Sequence, residues 1–217
     1  MQLLEKQKGN KMNIFYLSED PKEAAKQMPD KHIVKMILES SQMLANAYYV
    51  ANDIYTLKNL SYNKQVIIDK IFKDFPKEKP YRISFIHHPC SKWILESLSN
   101  WKWLLEHSLE LCRQYTLRYC KFHQSEVVLR WFSENIPNLP DIGNTIPAQA
   151  MPDKYKNPDT VQAYRNYYLG EKHWAYWKFG NWSIPEFWKE NKSQQVEYLE
   201  NYLNREEIKN LKNNFFI

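Results

Sequence analysis

The segment Asp30–Asn46, DKHIVKMILESSQMLAN, restricts the possible folds of this chain more than any other stretch. Its apolar residues occupy most of the circumference of a helix, which predicts a helix that is largely buried. Five polar residues recur at steps of three and four, and this spacing stacks them in one stripe. The stripe consists of His32, Lys35, Glu39, Gln42 and Asn46.

Because an unpaired buried charge is costly, this polar stripe must face water, a network of partners or a ligand. Two interpretations are open. The stripe is either a solvated face with an ion pair between Lys35 and Glu39, or one wall of a binding site.

The rest of the chain also favours helices. Its 217 residues include only 4 glycines but 8 tryptophans and 15 tyrosines, and long alternating β-branched runs are absent. Aromatic and aliphatic segments between proline-marked turns are typical of helices. We therefore predict an all-α fold, mainly a single helical domain, with at most a short N-terminal strand or extended segment at Asn13–Leu17.

Composition divides the chain into three parts. We predict a flexible N-terminal extension over residues 1–11, a helical core domain over residues 12–188, and a charged C-terminal helix or tail over residues 189–217. Inside the core, Asp30 is a plausible N-cap of the first long helix. His87–His123 is predicted to be one long helix that opens near Pro89.

A second group of signals lies in the last third of the core. The stretch Pro137–Pro152 is rich in turn signals, and a loop of this length is more often functional than idle. Asp159 then caps a predicted helix from Thr160 to about Phe179.

Charge and cysteine content limit the location and the partners. A net charge of +5 is compatible with a polyanionic partner without being diagnostic. The 3 cysteines lack C-x-x-C spacing, which suggests reduced thiols. Met1–Lys11 has no apolar signal core, and no run approaches the length of a membrane span. We expect a cytoplasmic protein without a membrane partner; its oligomeric state stays open.

The pair His32 and Glu39 is the best candidate for acid–base chemistry. The two residues are seven positions apart and lie on one helix face about two turns from each other. A carboxyl group among apolar residues has a raised pKa and can exchange protons with a substrate. A structural histidine and an ion-paired glutamate fit the same pattern equally well. His88, which precedes Pro89, is predicted to open a helix near this stripe and to assist.

Metal and phosphate-loop chemistry receive little support. His87, His88 and Cys90, together with His123, invite a metal interpretation, but zinc sites usually show tighter, paired ligand spacings. Glycine-rich phosphate loops, H-E-x-x-H and G-x-S-x-G are absent from the sequence. We predict no metal site and no cofactor.

Basic and aromatic residues in two later segments form the clearest binding signature. Arginine and lysine bind phosphates, and aromatic rings stack on bases. The alternative is that the tyrosine rings belong to the core and the cations are solvated. The residues predicted to contact a phosphate-bearing ligand are Asn100, Arg113, Arg118, Lys121, His123, Tyr164, Arg165, Tyr168 and Lys172.

Two motifs resemble the pyrimidine-dimer DNA glycosylase family of the phage endonuclease V type. The segment DKHIVKMILE is similar to a family helix with a D-x-H motif and a catalytic glutamate seven residues after the histidine, here Asp30, His32 and Glu39. HHPCSKW at His87–Trp93 is similar to a segment that opens a long helix in bacterial relatives. The resemblance covers Asn13–Lys121. The pattern MNIF…DKH…HPC…AMPD…AYR looks closer still to a large phage and bacterial family.

The resemblance implies an all-α glycosylase with AP lyase activity, in which an amine attacks the sugar C1′ and forms a Schiff base. Glu39 would be the carboxylate that stabilises the charged intermediate. The family uses the α-amino group of the residue after the initiator methionine, and the comparable position here is Asn13, with further residues in front. The nearby Lys35 is the substitute amine that we predict, if burial lowers its pKa.

Three functions remain as hypotheses. The first is a glycosylase-like enzyme that acts on DNA or on a nucleotide. The second is a phage-type protein, located in the host cytoplasm, that binds or sequesters a nucleotide signal without turning it over. The third is an interaction module whose aromatic face docks a protein partner.

Overall fold

The computed structural model describes residues 12–52, 61–78, 80–172, 175, 177 and 184–189, apart from the side chains of residues 61–65. Within these ranges the regular structure consists of α-helices and one short 3-10 turn, and no β-strand occurs. The prediction of an all-α fold is confirmed. The helices are α1 (Pro21–Lys26), α2 (Asp30–Ala51), α3 (Ser61–Ile71), α4 (Pro89–Glu96), α5 (Leu98–Tyr119), α6 (Glu126–Glu134), α7 (Thr160–Glu171) and α8 (Glu186–Lys189).

The N-terminal extension and most of the C-terminal part lie outside the described residues, so the three-part division of the chain stays a prediction. None of the described helices is both long and apolar enough to cross a membrane.

Helices α2 and α5 form the centre of the fold, and both are 22 residues long. They pack against each other, and α5 also contacts α1, α4 and α6. Trp101 on α5 is fully buried, and its indole nitrogen donates to the Leu44 carbonyl of α2 at 3.2 Å. The sequence pattern predicts the start of α2 and a helix through Asn46, and the structure extends it to Ala51.

The predicted N-cap role of Asp30 is wrong. Pro29 occupies the N-cap position, and Asp30 is the first helical residue. Its carboxylate forms an ion pair with the Arg118 guanidinium of α5 at 2.8 Å, and both side chains are almost fully buried. The carboxylate thus ties the first turn of α2 to the last turn of α5.

The single long helix predicted over His87–His123 is two helices. Ser97 has extended backbone angles, φ −149° and ψ 143°, and its hydroxyl accepts a hydrogen bond from the Ser99 amide as the N-cap of α5. The Leu98 amide donates to the Pro140 carbonyl, so the long loop after α6 supplies the partner that the interrupted helix lacks.

Residues 12–17 form no regular secondary structure and are buried against the helices, and a hydrogen bond from the Leu17 amide to the Phe15 carbonyl marks a tight turn within them. The Asn13 side chain accepts from the amides of Ile14 and Phe15 and donates to the Ala150 carbonyl at 2.8 Å. It therefore joins this segment to the long loop. In the last third of the core, Asp159 caps α7 as predicted, but α7 ends at Glu171.

Candidate active site

Helix α2 presents a strip of its surface to solvent, which we call the outer strip. The strip consists of Lys31, Val34, Lys35, Leu38, Glu39 and Gln42, the last two being half-buried. At 100° per residue, Val34 lies on one edge of this strip and Glu39 on the other.

The outer strip differs from the predicted polar stripe at both ends and in composition. His32 and Asn46 were predicted to belong to the stripe, but both are buried. Val34 and Leu38 were predicted to be buried, but they are 42% and 41% exposed. Of the predicted stripe, Lys35, Glu39 and Gln42 therefore reach solvent, and the apolar side chains of Val34 and Leu38 are exposed beside them.

Glu39 and Lys35 form an ion pair on the outer strip. The Lys35 Nζ lies 2.8 Å from the Glu39 Oε1, and the two side chains are 47% and 15% exposed. The other carboxylate oxygen, Oε2, is buried and has no hydrogen-bond partner among the described residues. Burial raises the pKa of Glu39, and the contact with Lys35 opposes this shift. One oxygen of this carboxylate is thus held by a cation, whereas the other is withdrawn from water.

The structure does not provide the burial that the Lys35 hypothesis requires, because nearly half of this side chain is exposed. Its contact with Glu39 nevertheless places a primary amine beside the candidate carboxylate. Whether Lys35 is the attacking amine stays a prediction.

Three parts of the chain meet on the buried side of Glu39. Burial, together with the smaller effect of the Glu39 charge, raises the pKa of the Cys90 thiol on α4 to about 12. The Ile14 backbone and the Tyr164 hydroxyl also lie close enough to the Cys90 thiol to affect its pKa. The segment after Asn13 therefore lies close to Glu39, together with the first turn of α4 and with α7.

His88 is the N-cap of α4, where its Nδ1 accepts a hydrogen bond from the Cys90 amide at 3.2 Å. Burial lowers its pKa. The predicted position at the opening of a helix is correct, and the catalytic role of His88 stays a prediction. A shallow depression of about 400 Å³ adjoins it and is lined by Ile83, Phe85, Ile86, His87 and His88.

His32 lies beneath the surface, two turns before Glu39. Its Nδ1 is 2.5 Å from the Tyr168 hydroxyl of α7, and the Phe15 ring stacks on it with centroids 4.2 Å apart. Burial, together with the smaller effects of the Lys172 and Lys35 charges, lowers the pKa of His32 to about 3. The imidazole is therefore neutral near pH 7, which suits a positioning role better than that of a proton donor.

The predicted base-stacking role of Tyr164 and Tyr168 is not available in this structure, because both rings are fully buried. The Tyr164 hydroxyl donates to the Ala148 carbonyl at 2.7 Å, and Tyr168 contacts His32. These rings belong to the core, as the alternative interpretation of the same pattern allowed.

Two further residues of the predicted ligand set are also enclosed. Arg118 binds Asp30 and the carbonyls of Met28 and Lys26, so a phosphate would have to break a buried ion pair to reach it. Asn100 holds the long loop, with hydrogen bonds to both the amide and the hydroxyl of Thr145. Both side chains link separate parts of the fold to each other.

Three further cations of the set are at least partly exposed. Arg113 is exposed and paired with Glu110, whereas Arg165 is half-buried over the Phe187 ring and donates to the Leu17 carbonyl. The half-buried Lys172 donates to the Tyr167 hydroxyl at 3.0 Å, and its charge acts on His32.

The last two residues of the set follow the end of α5. Lys121 is exposed, and the half-buried His123 lies close enough to the Val34 backbone for it to affect the pKa of the imidazole. His123 and Lys172 therefore lie near α2, Lys35 lies on it, and Lys121 is two residues before His123 in sequence. The phosphate contacts of all these residues stay predictions.

Two neighbours of the site were not predicted to contribute to it. Phe15 covers His32, and its backbone has a left-handed φ of 45°, which no local sequence pattern indicates. Cys90 was considered only as a metal ligand. In the described part of the chain, no group of three or more His, Cys, Asp or Glu side chains is arranged to hold a metal ion.

Comparison with known protein families matches residues 12–126 to the family described as pyrimidine dimer DNA glycosylase. No curated protein and no solved structure matches the chain. The family match covers more than half of the 217 residues and includes α2, α4 and α5 with the pair Lys35 and Glu39. This confirms the resemblance stated from the two motifs, and it indicates a DNA glycosylase-like function with DNA as the substrate. The chain belongs to the pyrimidine dimer DNA glycosylase family.

Proposed function

We propose that the protein is a DNA glycosylase with lyase activity, which acts on damaged pyrimidines in duplex DNA and uses Glu39 as its essential carboxylate. The supporting observation is the ion pair between Lys35 and Glu39 on the outer strip, in which the second carboxylate oxygen is buried without a partner in the described part of the molecule. An amine and a carboxylate side by side at a protein surface are the two groups that Schiff-base glycosylase chemistry requires.

In the proposed reaction, the Lys35 nitrogen gives up a proton to Glu39 and attacks the sugar C1′. A bond forms between nitrogen and C1′ while the bond from C1′ to the base nitrogen breaks, and the base leaves with the electron pair and takes up the proton held by Glu39. The bond from C1′ to the ring oxygen then breaks as that oxygen takes a proton from the attached nitrogen, which leaves an open-chain protonated Schiff base beside the ionised Glu39 carboxylate. The raised pKa of Glu39 makes it a better proton acceptor than an exposed carboxylate, and its charge stabilises the cationic intermediate.

His32 and His88 are positioning residues in this proposal. His32 fixes α2 against α7 through Tyr168, and His88 begins the helix that carries Cys90 beside Glu39. Neither histidine has to transfer a proton.

The first test is the variant Glu39→Gln on a duplex that contains one cyclobutane pyrimidine dimer. We expect the release of the damaged base and strand cleavage to fall by at least about 100-fold, because general acid–base groups contribute 10²–10⁴-fold. The matched control is Glu106→Gln, which alters an exposed carboxylate on α5. Equal activity of Glu39→Gln and Glu106→Gln would show that Glu39 is not the essential carboxylate.

The second test concerns the amine. Borohydride reduces a Schiff base to a stable bond, so the wild-type protein should become covalently attached to the dimer-containing strand. Lys35→Ala should lose this attachment, whereas Lys31→Ala, one turn earlier on α2, should keep it. If Lys35→Ala is trapped as efficiently as the wild type, then Lys35 is not the nucleophile, and peptide mapping of the trapped complex will locate the amine that is.

The nucleotide-binding alternative is not favoured. Its proposed ring contacts depended on Tyr164 and Tyr168, whose rings are buried in the core. The family match concerns proteins that act on DNA.

A further inference from the structure

We propose that Phe122 is an intercalating side chain, which inserts between the bases of bound duplex DNA; this inference rests on the proposed action on duplex DNA. Phe122 follows the end of α5 and is 80% exposed. Single exposed apolar residues are common on protein surfaces, so the exposure of Phe122 points to a covering molecule only in combination with its surroundings.

The residues around Phe122 are held in place. Helix α5 ends at Tyr119, and the left-handed φ of 51° at its C-cap residue Cys120 turns the chain away from the helix axis. The Nδ1 of His123 accepts from the Ser125 amide at 3.1 Å, and the ring lies close enough to the Val34 backbone to affect the pKa of the imidazole. At the end of α5, the Tyr119 hydroxyl donates to the Asp30 carbonyl of α2 at 3.4 Å. The Tyr115 ring packs edge-on against His123, with centroids 5.2 Å apart. The turn that carries Phe122 is therefore anchored both to α5 and to the outer strip of α2.

This anchoring places Phe122 beside the candidate active site. His123 contacts α2 at Val34, the edge of the outer strip opposite Glu39. Five residues separate Val34 from Glu39, which is about 7.5 Å along the helix axis. That span corresponds to roughly two base steps of a duplex at 3.4 Å each. DNA that lies along the outer strip with a damaged base at Glu39 therefore passes the turn that carries Phe122.

The charges around Phe122 favour a nucleic acid over an apolar protein partner. Lys121, its neighbour in sequence, is exposed, and Lys77 is close enough to His123 to lower the pKa of that imidazole, whereas Glu126, which is paired with Arg130, raises it. Lys31 and Lys35 lie on the adjoining outer strip. Cations near an exposed aromatic ring can bind phosphates beside the step that the ring enters.

Another exposed apolar side chain, Ile146, serves as the control for Phe122. Ile146 is 82% exposed on the long loop, and the hydroxyl of its neighbour Thr145 donates to the Glu96 carboxylate. Ile146 thus matches Phe122 in exposure, but its neighbour in sequence contacts a carboxylate, whereas Phe122 follows a lysine.

Intercalation would serve the proposed reaction directly. Enzymes that act on a base need it out of the stack, and inserted apolar side chains unstack base steps at a cost of a few kcal/mol per step. Insertion of Phe122 close to the lesion would lower the cost of exposing the sugar C1′ to Lys35.

The test compares the wild type, Phe122→Ala, Phe122→Trp and Ile146→Ala on a duplex in which 2-aminopurine neighbours the pyrimidine dimer. The fluorescence of 2-aminopurine rises when it is unstacked. We expect binding of the wild type, Phe122→Trp and Ile146→Ala to raise it. Phe122→Ala should bind with about tenfold lower affinity and give little rise, because base–aromatic stacking is lost. Its strand cleavage should recover when mismatches beside the lesion unstack the duplex beforehand.

The outcomes separate this inference from the proposed function. If the wild type cleaves the duplex and Phe122→Ala raises the fluorescence as much as Ile146→Ala does, then Phe122 does not intercalate and the proposed function stands. If the wild type neither binds nor cleaves dimer-containing DNA, both proposals fail. If Phe122→Ala loses activity equally on the intact and the mismatched duplex, the residue has a structural role and the inference is wrong.

Discussion

His107 shows at the scale of a single residue how burial sets a chemical property. It is fully buried on α5, its ring stacks on Trp103 with centroids 5.1 Å apart, and neither ring nitrogen has a hydrogen-bond partner among the described residues. Burial lowers the pKa of His107 to about 3. The folded protein therefore holds the neutral imidazole, and protonation favours the unfolded chain.

This gives a pH dependence of the free energy of unfolding. With an unfolded pKa of about 6.5, the contribution of His107 is constant above that pH and is lost as the pH falls from about 6.5 toward 3. Between pH 7 and pH 5, His107 should lower the free energy of unfolding by about 2 kcal/mol. In urea unfolding, the free energy of unfolding of His107→Phe should therefore fall by about 2 kcal/mol less than that of the wild type over this pH range. His87→Phe, at an exposed histidine, should behave as the wild type. An unchanged loss in His107→Phe would mean that its neutral form is not what the fold requires.

Sequence spacing predicts which candidate site residues share a helix, but it does not predict the contacts that each residue makes with distant parts of the chain. The spacing of His32, Lys35 and Glu39 placed them on one helix, and the structure keeps the last two in contact. Sequence could not distinguish an arginine that meets a phosphate from one that meets a buried carboxylate. Arg118 pairs with Asp30 across 88 positions of sequence, and no local pattern encodes that contact.

At the scale of elements, the start of α2 followed from periodicity and the division between α4 and α5 did not. Local pattern favours a continuous helix through Ser97, since apolar residues continue on both sides of it. The break is stabilised by the loop after α6, whose Pro140 carbonyl accepts from Leu98. The orientation of α2 likewise depends on packing. The outer strip includes Val34 and Leu38 because the neighbours of α2 cover its other sides, and hydrophobicity alone predicts the reverse.

At the scale of the whole molecule, the fold brings cations from separate parts of the chain close to α2. The net charge of +5 is modest, but the outer strip carries Lys31 and Lys35, Lys172 after α7 acts on His32, and the exposed Lys121 follows α5 two residues before His123, which lies near Val34. This placement depends on how three helices pack. A list of basic residues in sequence order therefore mixes these lysines with enclosed cations such as Arg118. A surface of this kind fits a duplex, whereas one nucleotide would meet only part of it.

The salt dependence of binding tests this arrangement. If each of these four lysines neutralises one phosphate, the logarithm of the association constant for duplex DNA should fall against the logarithm of the salt concentration with a slope of about −3.6. Lys121→Ala should make the slope shallower by about 0.9. Lys102→Ala removes an exposed lysine at the opposite end of α5 and should leave the slope unchanged. A slope near zero for the wild type, or equal slopes for Lys121→Ala and Lys102→Ala, would contradict a duplex lying along α2, because released counterions report every phosphate that the protein contacts.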